Sequence, residues 1–167
     1  MAKKTPLDGR RKSSARLAAV QALYTIEMTG ESVDRVVVNF LAHHVGGQDN
    51  ADLSPEETIV EPDGDLLQRL VFGASMRKDD LDVLVGTHLT GDWTVERLEA
   101  ILRAILRLGA FELTHFDDVP PRVVISEYVD IAHAFYSGAE PGLANAVLDR
   151  LARASRSEEM AGRSKAP

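Results

Sequence analysis

The chain has 167 residues, of which 44% are apolar and 27% charged, enough for one compact domain or two small helical subdomains around a hydrophobic core. It contains no cysteine, which excludes disulfides, thiolate metal sites and a cysteine nucleophile and suits a reducing cytosol. No apolar run reaches the roughly 18 residues of a membrane-spanning helix, and the basic N-terminus lacks the apolar core of a signal peptide.

The formal net charge of -7 argues against a nucleic-acid partner until its distribution is considered. At the N-terminus Lys3, Lys4, Arg10, Arg11, Lys12 and Arg16 face Asp8 alone, and local sign decides what a surface patch attracts. Two readings meet here: a solvated basic tail, or a docking patch for phosphate. Residues 1–9 read as a disordered basic tail, with Thr5-Pro6 and Asp8-Gly9 as breakers. A helix is predicted from Ser13 or Ser14, either able to cap it, with Leu17, Val20, Tyr24 and Met28 as its buried face. Lys12 and Arg16, one turn apart, then share a flank of that helix, with Arg11 further round. Gly30 ends it. Ser32 is predicted to cap a second helix that carries Val36, Val37, Phe40 and Leu41 and ends near His44.

An acidic loop, 46–64, follows with Asp49, Asp52, Glu56, Glu57, Glu61 and Asp63 and no cation. Its Ser54-Pro55-Glu56-Glu57 matches a capping box with proline in the first helical position, and its acids fit no EF-hand spacing. From Asp65 a long helix places Leu67, Leu70, Val71, Ala74, Leu81, Leu84 and Val85 on one stripe, with Asp79, Asp80 and Asp82 on its solvated side. It ends near Gly91, and Trp93 and Thr94 mark a junction between two helical halves. The next helix, 95–114 with Thr94 as its cap, is the most apolar segment, and Glu96, Glu99, Arg103 and Arg107 form its narrow polar stripe. A helix apolar on nearly all sides is the central one of its bundle. Pro120-Pro121 starts a further helix with Ile125, Tyr128, Val129, Ala132 and Tyr136, and a last helix with Leu143, Val147, Leu148 and Leu151 follows Pro141. Beyond Ala154 the small, polar composition predicts disorder. The fold class is therefore all-α, six or seven helices in two packed helical bundles. The bundles span 10–91, which includes the acidic loop, and 92–154, with a disordered tail at 155–167.

Reaction chemistry is sparse. His43 and His44 point about 100° apart on a helix and cannot chelate one ion, and His88, His115 and His133 have no second ligand at a suitable spacing. The serines form no nucleophile elbow, and the glycines neither a P-loop nor a dinucleotide fingerprint. No catalytic or metal site and no cofactor is predicted, so binding is the expected activity. Cations along one helix flank can follow phosphates, and Tyr24 or Phe40 could offer a stacking face, although the predicted burial of Tyr24 favours a core role.

Two stretches taken together resemble the NusB family of transcription antitermination factors. The first is Arg10 to Tyr24, where a basic cluster leads into Ala19-Val20-Gln21-Ala22-Leu23-Tyr24. The second begins at Ile105-Leu106-Arg107-Leu108-Gly109-Ala110-Phe111-Glu112-Leu113. It continues through Asp118-Val119-Pro120 and Ile125-Ser126-Glu127 to Ala144-Asn145-Ala146-Val147-Leu148-Asp149. Ser126 replaces a usual asparagine, Leu143 to Ala146 depart from the usual Phe-Val-Asn-Gly, and the acidic loop is long. The resemblance implies a cytoplasmic, all-helical, non-enzymatic protein that binds the boxA element of ribosomal RNA leader transcripts. It implies the ribosomal protein NusE as partner, within an RNA polymerase antitermination complex. It also implies RNA contacts at Lys12 and Arg16, supported by Arg10 and Arg11, with Gln21 in the shared motif as an open candidate. Family members occur as monomers and as dimers, so a homodimer stays open. Two alternatives remain: the NusB-like accessory domain of a ribosomal RNA cytosine-5 methyltransferase, whose enzyme needs cysteine chemistry, and a helical protein-interaction module without RNA.

Overall fold

The computed structural model describes residues 6–45 and 60–162. Among the described residues there are eight α-helices and one 3-10 turn, and no strand. The helices are α1 (Pro6–Thr29), α2 (Val33–Val45), α3 (Gly64–Met76), α4 (Lys78–His88), α5 (Ala100–His115), α6 (Pro121–Phe135), α7 (Glu140–Ser155) and α8 (Ser157–Met160), with the 3-10 turn at Val95–Arg97. The all-α class is as expected, and the helix count exceeds the expected six or seven. The predicted long helix is interrupted at Arg77, whose φ of -114° and ψ of 21° depart from helical values. The second addition is α8, which forms inside the stretch predicted to be a disordered tail. The chain divides into two compact units, with the division between Phe72 and Gly73. It falls inside α3, away from the junction expected near Gly91.

In the first unit, α1 starts earlier than predicted. Proline has a pre-set φ and no N–H to satisfy, so Pro6 suits a first helical turn. Neither predicted cap acts as one: Ser13 Oγ donates to Gly9 O at 3.2 Å and Ser14 Oγ to Val60 O at 2.7 Å. Gly30 does end α1, at φ +69°, where a side chain would be strained. Ser32 does cap α2, accepting from the Arg35 N–H at 3.3 Å. The segment from Val60 to Asp63 lies along the start of α1, tied by the Ser14 bond and by Asp63 N–H donating to Arg11 O at 3.1 Å. Asp63 then caps α3 through Oδ1, which accepts from the Leu66 N–H at 3.1 Å. Residues 46–59, which hold most of the predicted acidic loop and its capping box, lie outside the described residues, as do Lys3 and Lys4.

In the second unit α5 is central, packed against α4, α6 and α7. It is buried almost continuously from Leu102 to Leu113. Its first turn is not where the sequence put it: Val95–Arg97 is a separate 3-10 turn, and Glu99 precedes α5 in extended conformation. Glycine lets α5 approach its neighbours. A Cβ on Gly109 would sit 2.7 Å from Leu148 Cδ2, and one on Gly73 would overlap the Phe111 ring. The buried charged groups are paired. Glu112, with 0% exposure, accepts from Tyr128 Oη at 2.6 Å. Arg107, predicted on a solvated stripe, is buried and forks onto Asp82, with Nε–Oδ1 at 2.6 Å and Nη2–Oδ2 at 2.9 Å. Asp82 therefore leaves the solvated acidic group to which Asp79 and Asp80 belong. At the far end Arg156 is buried in the stretch expected to be disordered. It donates to Val119 O at 2.6 Å, Asp117 O at 3.2 Å and Phe116 O at 3.4 Å, and pairs with Glu159 at 2.7 Å.

Two substitutions check this packing. Urea denaturation of Arg107→Ala is expected to show a loss of about 3 kcal/mol, with most of it recovered when Arg107→Met is combined with Asp82→Leu. An equal loss in the apolar double variant would mean that the ion pair itself carries the stability. Gly73→Ala should cost about 1–3 kcal/mol through displacement of the Phe111 ring, whereas Gly142→Ala, where a Cβ meets nothing within 4 Å, should show no comparable packing loss.

Candidate nucleic-acid interface

The basic helix has an inside made mostly of alanine. Ala15, Ala18, Ala19, Ala22 and Leu23 follow the i, i+3, i+4, i+7, i+8 spacing of a buried helix stripe, and all five are buried together with Val20. Alanine keeps high helix propensity while leaving little side chain between α1 and what packs on it. The large side chains are consequently turned to the other side. Of the predicted buried face, only Val20 is buried: Leu17 is half-buried, Tyr24 is 38% exposed and Met28 is 53% exposed. Arg10, Leu17, Gln21, Tyr24 and Met28 share one outer stripe of α1, since their spacings return to nearly the same helical angle.

The cations fall into three classes. Arg10 and Arg11 are exposed and have no ion pair among the described residues. Lys12 is half-buried and lies 3.9 Å from Asp8 one turn earlier, a surface pair that salt and solvent weaken. Arg16 is 4% exposed and engaged within the protein. The free flank expected for Lys12 and Arg16 is thus reduced to Lys12. Arg16 lies on the buried side because it is one residue after Ala15 and three before Ala19. Gln21 is exposed, as a contact residue would need to be. Its backbone carbonyl accepts from Thr25 Oγ1 at 2.9 Å. Phe40, the other predicted stacking candidate, is half-buried and engaged.

The outer stripe therefore changes character along its length. Arg10 stands at its start, the Gln21 amide in the middle, and the phenol ring of Tyr24 with the Met28 thioether at the end. Phosphate contacts need the first, and base-edge and stacking contacts need the others. Among the described residues no three His, Asp or Glu side chains come together as metal ligands. His43 and His88 each place Nδ1 against the carbonyl one turn earlier, at 2.7 Å and 2.9 Å, while His115 stacks on Phe111. Among the same residues no helix is long and apolar enough to cross a membrane. Sequence reasoning missed the exposure of Tyr24 because it ranked side chains by size. The alanine spacing itself pointed to the true inner face.

Comparison with known proteins places the chain. The pattern of the NusB family matches residues 13–153. The chain is 47% identical over 163 residues to transcription antitermination protein NusB of Rhodospirillum rubrum, covering 91% of this chain and 88% of that one. Against the NusB of Maricaulis maris it is 44% identical over 159 residues, covering 94% and 96%. Among solved structures, T. maritima NusB aligns with a TM-score of 0.70 at 25% identity, over 95% of this chain and 99% of that chain. A structure of antitermination factors NusB and NusE in complex with dsRNA shares the fold at a TM-score of 0.68 and 22% identity, over 85% and 96%. The pattern spans both units and the alanine stripe of α1, and on that ground this chain belongs to the NusB family.

Proposed function

We propose that this protein is a transcription antitermination factor that binds the boxA element of ribosomal RNA leader transcripts through the outer face of α1. It acts with ribosomal protein NusE inside an RNA polymerase antitermination complex. The observation that carries the reading is the basic start of α1 leading into its outer stripe: Arg10 and Arg11 are exposed and have no ion pair among the described residues, and Arg10 shares the stripe with Gln21 and Tyr24. Family membership and the antitermination names of the relatives support it, and a relative of the same fold is found with NusE and RNA.

The division of labour is as follows. Arg10, Arg11 and Lys12 track phosphates and give affinity with little sequence preference. Tyr24 offers a ring for an unstacked base, and the Gln21 amide can donate to and accept from a base edge. Arg16, buried and engaged within the protein, serves as a positioning residue for α1. The net charge of -7 repels nucleic acid elsewhere on the chain, so bound RNA is confined to the one basic face and NusE supplies the remaining specificity.

Three phosphate contacts predict a slope of about -2 for log affinity against log salt with single-stranded RNA. Fluorescence anisotropy across a salt series should show that slope, and Arg10→Ala with Arg11→Ala should flatten it to about -1. A salt-independent affinity would overturn the interface, and equal binding of scrambled RNA with NusE present would remove the boxA part. Tyr24→Ala should weaken binding by about 1–3 kcal/mol without changing the slope, and Tyr24→Phe should keep most of it. Unchanged affinity in Tyr24→Ala would exclude the stacking role.

A further inference from the structure

A second exposed aromatic lies in the other unit, in surroundings of opposite sign. Trp93 is the single tryptophan of the chain and is 46% exposed. It borders an open hollow of about 660 Å³ whose other walls are Thr90, Gly91, Asp92 and Arg97. The turn that carries it is held in place. Gly91 takes φ +65°, a conformation that most side chains resist. Arg97 Nη1 donates to Asp92 O at 2.8 Å. From α5, Arg103 Nη1 donates to Leu98 O at 2.8 Å and Val95 O at 3.3 Å. A Cβ on Gly86 of α4 would touch Val95 at 3.6 Å, so the turn is braced from that side too. An indole that is half in water on a braced turn gains little for the fold, and such rings are frequent anchors of protein interfaces.

The charges around the ring decide what it anchors. Asp92 and Glu96 are exposed, and neither carboxylate has an ion pair among the described residues. Arg97 is the only cation among the residues that line the hollow, and its Nη1 is committed to the Asp92 carbonyl. The face of an indole ring is electron-rich and attracts cations. Asp92 in the wall of the hollow and Glu96, three residues along the turn, reinforce that attraction and repel phosphate. We propose that Trp93, with Asp92 and Glu96, is a receptor for a lysine or arginine side chain of a basic partner protein. The inference rests on the protein partnership proposed above and gives it a place in the second unit. RNA at this hollow is the alternative, and the local sign of charge counts against it.

The lone tryptophan makes the site directly readable. Titration of the full-length protein with NusE should change Trp93 emission saturably, measured against NusE alone. Calorimetry should give a dissociation constant weakened about 5- to 30-fold in Trp93→Ala and within about twofold of the parent in Trp93→Tyr. Asp92→Asn with Glu96→Gln should weaken binding and reduce its salt dependence. This charge variant carries the test if Trp93→Ala fails to fold by circular dichroism. NusE binding Trp93→Ala and the charge variant as tightly as the parent would overturn the proposal while leaving the partnership intact. A complete lack of NusE binding to the parent protein would remove both. Emission that responds to boxA RNA alone, with Arg97→Gln weakening that response, would reassign the hollow to nucleic acid and overturn the protein-receptor reading.

Discussion

Everything on the outer face of α1 depends on the alanines beneath it. Ala15, Ala18, Ala19 and Ala22 are buried at 2% exposure or less, and their small size lets the helix settle with only Leu23 and Arg16 of its longer side chains buried. Because the inner stripe is complete without Arg10, Gln21 and Tyr24, these three are free for recognition. The segment from Val60 to Asp63 secures the same arrangement from the side, with one bond to the Ser14 hydroxyl and one to the Arg11 carbonyl. The Arg11 backbone is therefore tied, while its guanidinium has no ion pair among the described residues.

The second unit solves a different problem. Its central helix is buried nearly all round, yet it carries a glutamate and an arginine in that buried length. Each is matched: Glu112 by Tyr128 and Arg107 by Asp82. Pairing removes the penalty of an isolated buried charge, though a buried pair by itself adds little net stability. What it does supply is register. The Arg107–Asp82 fork joins α5 to α4, and the Glu112–Tyr128 bond joins α5 to α6. With Gly109 against Leu148 of α7, three neighbours are located along one helix.

Much of this was readable in advance, and the failures share a cause. The all-α class, the central apolar helix, the Gly30 stop and the Ser32 cap follow from local chemistry that tertiary contacts do not override. The family signal in Ala19 to Tyr24 and Ile105 to Leu113 was equally plain. The inner face of α1 was misread because Leu17, Tyr24 and Met28 also recur at helical spacing, so two stripes competed and the larger side chains won. Arg16, Arg107 and Asp82 were read as solvent-facing because charge predicts exposure unless a partner is known, and Arg107 and Asp82 meet across 25 residues and two helices. The break at Arg77 left no trace, since Ala74 and Leu81 remain two turns apart across it. Trp93 was recognised only as a junction. Its exposure depends on the fold of the 3-10 turn beside it, which no single-residue preference announces.

The hold of Arg156 on the turn between α5 and α6 has a consequence for how the chain is made. Val119 leaves the ribosome well before the arginine that satisfies its carbonyl, a separation of 37 residues. Until α7 is complete and Arg156 has emerged, that carbonyl is served by water. A nascent chain that ends short of this arginine would have the helices of the second unit but no clasp on the α5–α6 corner. The corner would then close late in biosynthesis, in the same event that docks Met160 beside Arg122, and it would be among the first places to open under a proteolytic challenge.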